Sequence, residues 1–248
     1  MQTLFMRLEG PLQSWGIRSR WGERDTTLAP TKSGVIGLLA CAQGLQRGDS
    51  AIRVLSDSLR MGVRIDVPGT LLQDYHTTGG GVFHGGERTQ WWRDAYAGGV
   101  LSAENKVKVH QDTKKPETDV SVRWYLADAS FLVALQGAPA VIEALAQALQ
   151  RPVWPIFLGR KSCPPATPVY AGVGDHADLR LALTSHPLHP RMSAQRERRP
   201  LRLLLETTIG KGNRQQDAIG TPAVRRFLPR FVAEEEWQPD EQPINTFE

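Results

Sequence analysis

Residues 128–150, DASFLVALQGAPAVIEALAQALQ, contain the pattern of one strand followed directly by one helix. The continuous apolar run at 131–135 is typical of a strand that is buried on both faces. After Pro139, apolar residues recur at helical spacing and predict an amphipathic helix. This strand and helix form the second half of the predicted fold.

A matching first half lies near the start of the chain. TLFMRLEG, at 3–10, alternates between apolar and polar residues and predicts a strand with Leu4, Met6 and Leu8 on one face. The elements predicted between the two halves are a helix at about 32–45 that ends at Gly44 or Gly48, a short helix at 49–59, a strand at 60–67 and its hairpin partner at 70–78.

The order of these elements predicts the fold class. Pro68-Gly69-Thr70 between two alternating runs is a turn signal, so the strands on either side are predicted to pair as a hairpin. A strand, a helix, a hairpin, a further strand and a further helix are close to the split βαββαβ plan. We therefore predict an α+β fold with a ferredoxin-like N-terminal domain.

Two regions depart from this plan. Residues 79–122 are first rich in glycine and aromatic residues and then contain a predicted hairpin with a Lys-Lys-Pro tip, and so long an insertion is usually functional or disordered. From residue 151 onward, Pro and Gly are frequent and strand patterns dominate. The predicted domains are therefore 1–150, including the insertion, and a smaller β-rich region at 151–248 with an acidic tail.

Charge is unevenly distributed along the 248 residues, which carry a formal net charge of +4. The segment 191–202 contains five arginines, GKGNR and VRRFLPR follow it, and the last fifteen residues are acidic. This segregation indicates a basic face for a polyanion.

Two cysteines, Cys41 and Cys163, are too few for a disulfide framework or a metal cluster, so no cofactor or metal is predicted. The start of the chain lacks a signal-peptide pattern, and a cytoplasmic protein is expected.

PTKSGVIGLLACAQG, at 30–44, places hydroxyl groups and a lysine at a predicted helix start. A nucleotide-hydrolysing P-loop is excluded because Pro30 and Thr31 stand where glycine is required. Two interpretations remain open at this point. Thr31 is either an ordinary N-cap, or Thr31, Lys32 and Ser33 bind an anion at the positive end of the helix dipole.

GRKSC, at 159–163, follows an apolar segment directly. Gly159 permits a sharp turn, after which Arg160, Lys161 and Ser162 could present cations and N–H groups to a phosphate. The alternative is a solvated basic turn without a ligand.

Tyr75 and His76 in QDYHTT raise the question of catalysis. A tyrosine and a histidine, with Lys32 or Lys161 nearby, can cleave RNA without a metal by general acid–base catalysis. The alternative is that they are ordinary surface side chains. The aromatic residues of the insertion, which include Trp91 and Trp92, could likewise stack on bases or pack on a protein partner.

Five segments taken together resemble a known family in order and spacing: LEGPLQSWG, PTKSGVIGLLACAQG, DYHTT, YLADASFLVAL and PIFLGRKSCPP. They are similar to the CasD family of bacterial type I-E CRISPR systems, and the resemblance covers about residues 3–172. The resemblance implies a non-catalytic RNA-binding subunit of Cascade, the RNA-guided surveillance complex, with a ferredoxin-like (RRM-like) body. Such a subunit would bind the 5′ handle of the guide RNA and cap one end of the complex's backbone.

The resemblance also implies partners and a thumb. The partners would be the guide RNA, the repeated backbone subunit, the large subunit and other Cascade proteins, with no membrane. A hairpin thumb maps onto the insertion at 79–122. The resemblance implies that a separate endonuclease processes the repeat RNA in this subtype, so DYHTT does not make this chain an enzyme. The alternative function is a metal-independent endonuclease that processes CRISPR repeat RNA with Tyr75 and His76. A third class is a pure protein scaffold that does not touch RNA.

The predicted RNA-binding residues lie in the loop after the first strand, at the first helix start, in DYHTT, in the insertion and in the GRKS turn. Trp15 could equally pack beneath its loop. The set is Gln13, Ser14, Trp15, Arg18, Arg20, Thr31, Lys32, Ser33, His76, Trp91, Trp92, Lys106, Lys108, Lys114, Lys115, Gly159, Arg160, Lys161 and Ser162.

Overall fold

The computed structural model describes five stretches of the chain: residues 1–17, 22–79, 118–193, 199–220 and 227–239. The chain divides into two compact units. The larger unit comprises residues 1–17, 25–72 and 125–248, and the smaller comprises 18–24 and 73–124.

The described residues form strands and helices in the following order: β1 (Gln2–Glu9), β2 (Leu12–Gln13), β3 (Glu23–Arg24), α1 (Lys32–Gln43), α2 (Ser50–Ser58), β4 (Arg60–Val67), β5 (Thr70–Gly79), β6 (Thr118–Ala127), β7 (Ser130–Gly137), α3 (Pro139–Gln150), β8 (Tyr170–Asp175), α4 (Leu179–Ser185), α5 (Pro190–Ser193), β9 (Leu201–Thr207), β10 (Asn213–Ile219) and β11 (Phe227–Trp237).

The larger unit is built on a seven-stranded sheet in the order β10-β11-β9-β4-β7-β1-β8. Every neighbouring pair in it is antiparallel, with Leu4 opposite Leu135 between β1 and β7. Helices packed on an antiparallel sheet confirm the predicted α+β class.

Strand β7 is buried along its whole length because both faces of the sheet are covered. On one face, Leu4, Met6 and Leu8 pack in a core with residues of α1 and α3, as the alternation predicted. On the other face, Phe5 and Leu132 pack with residues of α4. A strand in such a position needs apolar residues on both sides, which explains the unbroken run at 131–135.

A buried arginine holds α4 and the segment after it on the second face of the sheet. The side chain of Arg64 has no solvent exposure, and its Nε lies 2.6 Å from Oδ1 of Asp66. Its Nη1 donates to the carbonyl of Leu183 at 2.6 Å, and its Nη2 donates to that of Pro187 at 2.8 Å. Arg7 also pairs with Asp66. The guanidinium thus satisfies the carbonyl of Leu183 in the last turn of α4 and that of Pro187 in the segment after it.

Two predicted features differ from the structure. Both edges of β4 are occupied, by β7 and β9, and β5 pairs with β6, so the predicted hairpin between β4 and β5 is wrong. The division at 150/151 also differs from the observed units, because β9, β10 and β11 extend the same sheet as β1 and β7.

The smaller unit contains β3 and parts of β5 and β6. Strand β3 runs parallel to β6, with Glu23 opposite Val122 and Arg24 opposite Arg123. No helix in the described stretches is both long and apolar enough to cross a membrane.

Candidate nucleic-acid interface

The loop after β1 is held from within by the side chain of Gln13. Its Nε2 donates to the carbonyls of Leu8 at 3.1 Å and of Ala129 at 2.8 Å, while its Oε1 accepts from Nε1 of Trp15 at 3.0 Å. Gln13 and Trp15 are almost fully buried. This placement differs from the predicted contact of Gln13 with RNA, and for Trp15 it matches the packing interpretation.

The GRKS turn lies directly against this loop. Gly159 has a φ of 92°, and a Cβ built on it would lie 1.7 Å from the carbonyl oxygen of Ser14. The backbone N–H of Ser14, itself a buried residue, donates to the carbonyl of Leu158 at 3.0 Å. The turn is closed by the N–H of Leu158 donating to the carbonyl of Cys163 at 2.7 Å. Glycine is therefore required at 159 by both conformation and space.

In this turn, one side chain stabilises the turn and the others are exposed to solvent. The guanidinium of Arg160 lies over the ring of Tyr125, with its Cζ 4.8 Å from the centroid, and its Nη2 donates to the carbonyl of Asp25 at 3.0 Å. Lys161 and Ser162 are exposed, and the hydroxyls of Ser162 and Tyr125 are 3.4 Å apart. Arg160 therefore braces the turn by a cation–π contact, and Lys161 is its outward cation.

Burial raises the pKa of the Cys163 thiol, which lies next to this turn, and its contacts with Ser162 and Arg160 only partly oppose that effect. A thiol with a raised pKa stays protonated near neutral pH and is a poor nucleophile. Cys163 is therefore a packing residue of the turn.

The N-terminus of α1 already holds an anion, and that anion belongs to the chain itself. Oδ2 of Asp217, in β10, accepts from the backbone N–H of Lys32 at 2.8 Å. Oγ1 of Thr31 accepts from the N–H of Gly34 at 3.3 Å, which confirms the capping interpretation of Thr31. The favourable site for a negative charge at this helix end is occupied by a carboxylate.

Lys32 points inward from the same helix end. Its side chain is 5% exposed, and its Nζ lies 2.8 Å from Oε1 of Glu206 and donates to the carbonyl of Leu59 at 2.7 Å. Arg230 completes the network through bonds of 2.6 and 2.9 Å to the carboxylate of Asp217. The geometry therefore corrects the prediction that Lys32 faces RNA phosphates: it joins α1 to the C-terminal strands. Ser33 is half-buried beside it.

Tyr75 and His76 are neighbours on β5, in the smaller unit. The Tyr75 side chain is 69% exposed, and Nδ1 of His76 lies 3.3 Å from Oδ2 of Asp74. Because successive strand residues point to opposite faces, the two side chains do not converge on one point. No cluster of three or more metal-ligand side chains occurs within the described ranges.

Several predicted contacts lie outside the described residues. They are those of Arg18, Arg20, Trp91, Trp92, Lys106, Lys108, Lys114 and Lys115, together with most of the insertion at 79–122. Tyr125 is a site residue that sequence reasoning missed. In the sequence it stands at the start of YLADASFLVAL, where it resembles a core residue and gives no local signal of a site.

The chain is similar in sequence to CRISPR-associated proteins. The family model described as "CRISPR-associated protein (Cas_Cas5)" matches residues 3–233. "CRISPR system Cascade subunit CasD" from Escherichia coli (strain K12) is 36% identical over 195 residues, which cover 74% of this chain and 76% of that one.

Two solved structures are similar over almost the whole chain. One, described as "Crystal structure of Cas protein", has a TM-score of 0.66 and 36% identity and covers 96% of this chain and 95% of its own. The other, a chain of a "CRISPR RNA-guided surveillance complex", has a TM-score of 0.71 and 34% identity and covers 95% of this chain and 91% of its own.

Proposed function

The chain belongs to the Cas5 family of CRISPR-associated proteins, and we propose that it is a non-catalytic RNA-binding subunit of a Cascade-type surveillance complex. In this role it binds the 5′ handle of the guide RNA and assembles with the repeated backbone subunit and the large subunit. The cytoplasmic location indicated by the sequence is part of the same proposal.

The exposed basic turn at 159–162 is the observation that carries the RNA-binding role. Lys161 and Ser162 are exposed on a turn whose shape is fixed by Gly159 and by Arg160 over Tyr125. A rigid turn that offers an amine, a hydroxyl and backbone N–H groups suits a phosphate, because little conformational entropy is lost on binding.

A ferredoxin-like description of the body is part of the proposal. Strands β4, β7, β1 and β8 lie side by side in that order, and α1 and α3 lie in the connections after β1 and β7. Helix α4 covers the opposite sheet face, which holds Phe5 and Leu132, so loops and turns are better placed than this face to meet RNA.

The endonuclease alternative is not favoured. Tyr75 and His76 lie on opposite faces of one strand, and a general acid and a general base must reach the same phosphodiester. Incubation of the protein with repeat RNA in the presence of EDTA is expected to leave the RNA intact. Cleavage at one defined position would reverse this conclusion.

Binding of the full chain to a labelled single-stranded handle RNA, over a series of salt concentrations, tests the RNA-binding role. We expect Lys161→Ala to make the slope of log K against log salt shallower by about 0.7, the value for one phosphate contact on a single strand. Arg47→Ala is the matched control, because Arg47 is an exposed cation beyond the opposite end of α1. Equal slopes for wild type, Lys161→Ala and Arg47→Ala would exclude the turn as a phosphate site.

A further inference from the structure

Two exposed cations lie at the end of the connection between β9 and β10: Lys211 is in the connection, and Arg214 is the second residue of β10. In strands β9 to β11, Arg202 pairs with Glu234 and Arg230 pairs with Asp217. Lys211 and Arg214 are exposed, and neither has a carboxylate partner among the described residues. Within the described part of the chain, these two cations face no opposing charge.

The shape of this connection is fixed. The N–H of Lys211 donates to the carbonyl of Thr208 at 3.1 Å, and Gly210 between them has a φ of 84°, as a type II turn requires at its third position. A Cβ on Gly212 would lie 2.5 Å from the carbonyl oxygen of Val232, so the chain presses closely on β11 there. The tip is therefore a preorganised projection.

An apolar side chain stands at the apex of the projection. Ile209 is 86% exposed and directly precedes Gly210 in the turn. Strand β10 is the end strand of the sheet in the described structure, so the tip lies beside an open edge. Gln215 and Asp217 both accept from the guanidinium of Arg230 and so lie on one face of β10, and Arg214, the neighbour of Gln215, lies on the other face.

We propose that this tip, residues 208–214, is a second contact for single-stranded RNA, in which Lys211 and Arg214 meet phosphates and Ile209 packs on a base. Apolar side chains flanked by cations are used in this way against nucleic acids, whose bases offer apolar faces beside regularly spaced charges. The inference rests on the proposed function and adds a second stretch of the same RNA to it.

Salt-dependent binding of a guide RNA that extends beyond the handle tests the cations. We expect Lys211→Ala/Arg214→Ala to make the slope of log K against log salt shallower by about 1.4, which corresponds to two single-strand phosphate contacts. The double variant Arg47→Ala/Arg151→Ala is matched to it, because it removes two charges from exposed residues elsewhere and should leave the slope unchanged. Identical slopes for the two double variants would overturn the inference.

A photoreactive amino acid in place of Ile209, in the assembled complex, tests the occupant of the tip. The expected product is a covalent adduct with RNA. An adduct with protein alone would overturn the inference and assign the tip to an acidic protein surface.

Failure of the wild-type chain to bind any handle RNA would overturn the proposed function itself. If Lys161→Ala shows the expected shallower salt slope and Lys211→Ala/Arg214→Ala leaves the slope unchanged, only the second contact is overturned.

Discussion

At the scale of single residues, the absence of a side chain at Gly159 determines the shape of the candidate RNA site. The backbone there has a φ of 92°, and the carbonyl oxygen of Ser14 occupies the place where a Cβ would stand. Gly48 has a φ of 96° but nothing within 4 Å of its Cβ position. A comparison of alanine substitutions at the two glycines therefore separates the cost of a left-handed backbone from the cost of a steric clash.

We expect Gly159→Ala to lower the free energy of unfolding by clearly more than Gly48→Ala. An alanine in the left-handed region costs on the order of 1–2 kcal/mol, and only the Gly159 variant must also displace the backbone of residue 14. Urea denaturation of both variants measures the difference. Equal losses would mean that the turn moves away from Ser14 without cost.

The histidine after α4 links protonation to stability. Burial lowers the pKa of His186 from the ordinary value of 6.5; the carbonyls of Pro187 and Ala171 oppose this effect, and the charges of Arg64 and Arg7 add to it. A depressed pKa means that the unfolded chain binds the proton more tightly than the folded chain. The stabilisation is therefore complete above pH 6.5 and is lost as the pH falls through the folded pKa.

We expect the free energy of unfolding to fall between about pH 7.5 and about pH 5.5, and to fall less in His186→Gln. Urea titrations of both proteins across this interval measure the two slopes. A variant slope equal to the wild-type slope would show that His186 does not contribute to the pH dependence.

At the scale of elements, the N-terminus of α1 is connected to the C-terminal strands by a network of charged side chains. Asp217 accepts from the first N–H of the helix and pairs with Arg230, while Glu206 pairs with Lys32 and accepts from the N–H of Met61. These charged side chains are all largely buried. Removing one member leaves another charge buried without its partner, which is more costly than losing a surface ion pair.

We expect Asp217→Ala to lower the free energy of unfolding by about 3–5 kcal/mol. Asp57→Ala is the control, because it breaks an exposed pair with Arg53 on α2 and should cost less than about 1 kcal/mol. A loss in Asp217→Ala as small as in the control would mean that water replaces the carboxylate at the helix end.

At the scale of the whole molecule, the seven-stranded sheet joins the two ends of the sequence. Strand β9 pairs along β4, with Val63 opposite Leu204, and Leu203 and Leu205 belong to the second-face core with Phe5. A chain without these strands leaves one edge of β4 unpaired and this core partly exposed. The C-terminal strands are therefore integral to the larger unit.

We expect a chain that ends at residue 193 to lose cooperative unfolding and to aggregate during size-exclusion chromatography. A chain that ends at residue 239 keeps every described strand and is the matched control, expected to unfold like the full chain. Normal cooperative unfolding of the shorter chain would support the separate β-rich region predicted from the sequence.

Elements with local sequence signals could be predicted correctly. The unbroken apolar run of β7, the alternation of Leu4, Met6 and Leu8, the helical spacing of α3 and the cap at Thr31 were all predictable. Each depends on residues within about one element of each other, where periodicity and capping follow from backbone geometry. The order and spacing of the longer segments were also sufficient to indicate the family.

Contacts between residues that are distant in sequence could not be predicted from local patterns. Asp217 lies 185 positions from Lys32, and the pattern around PTKSG gives no sign that a carboxylate of the same chain fills its anion site. Strand β4 pairs with β7 and β9 and not with β5, and Tyr125 lies beneath Arg160. Both arrangements also depend on partners that are distant in sequence. Local sequence fixes backbone preferences, but the pairing of strand edges and buried charges is selected by the free energy of the whole packed sheet.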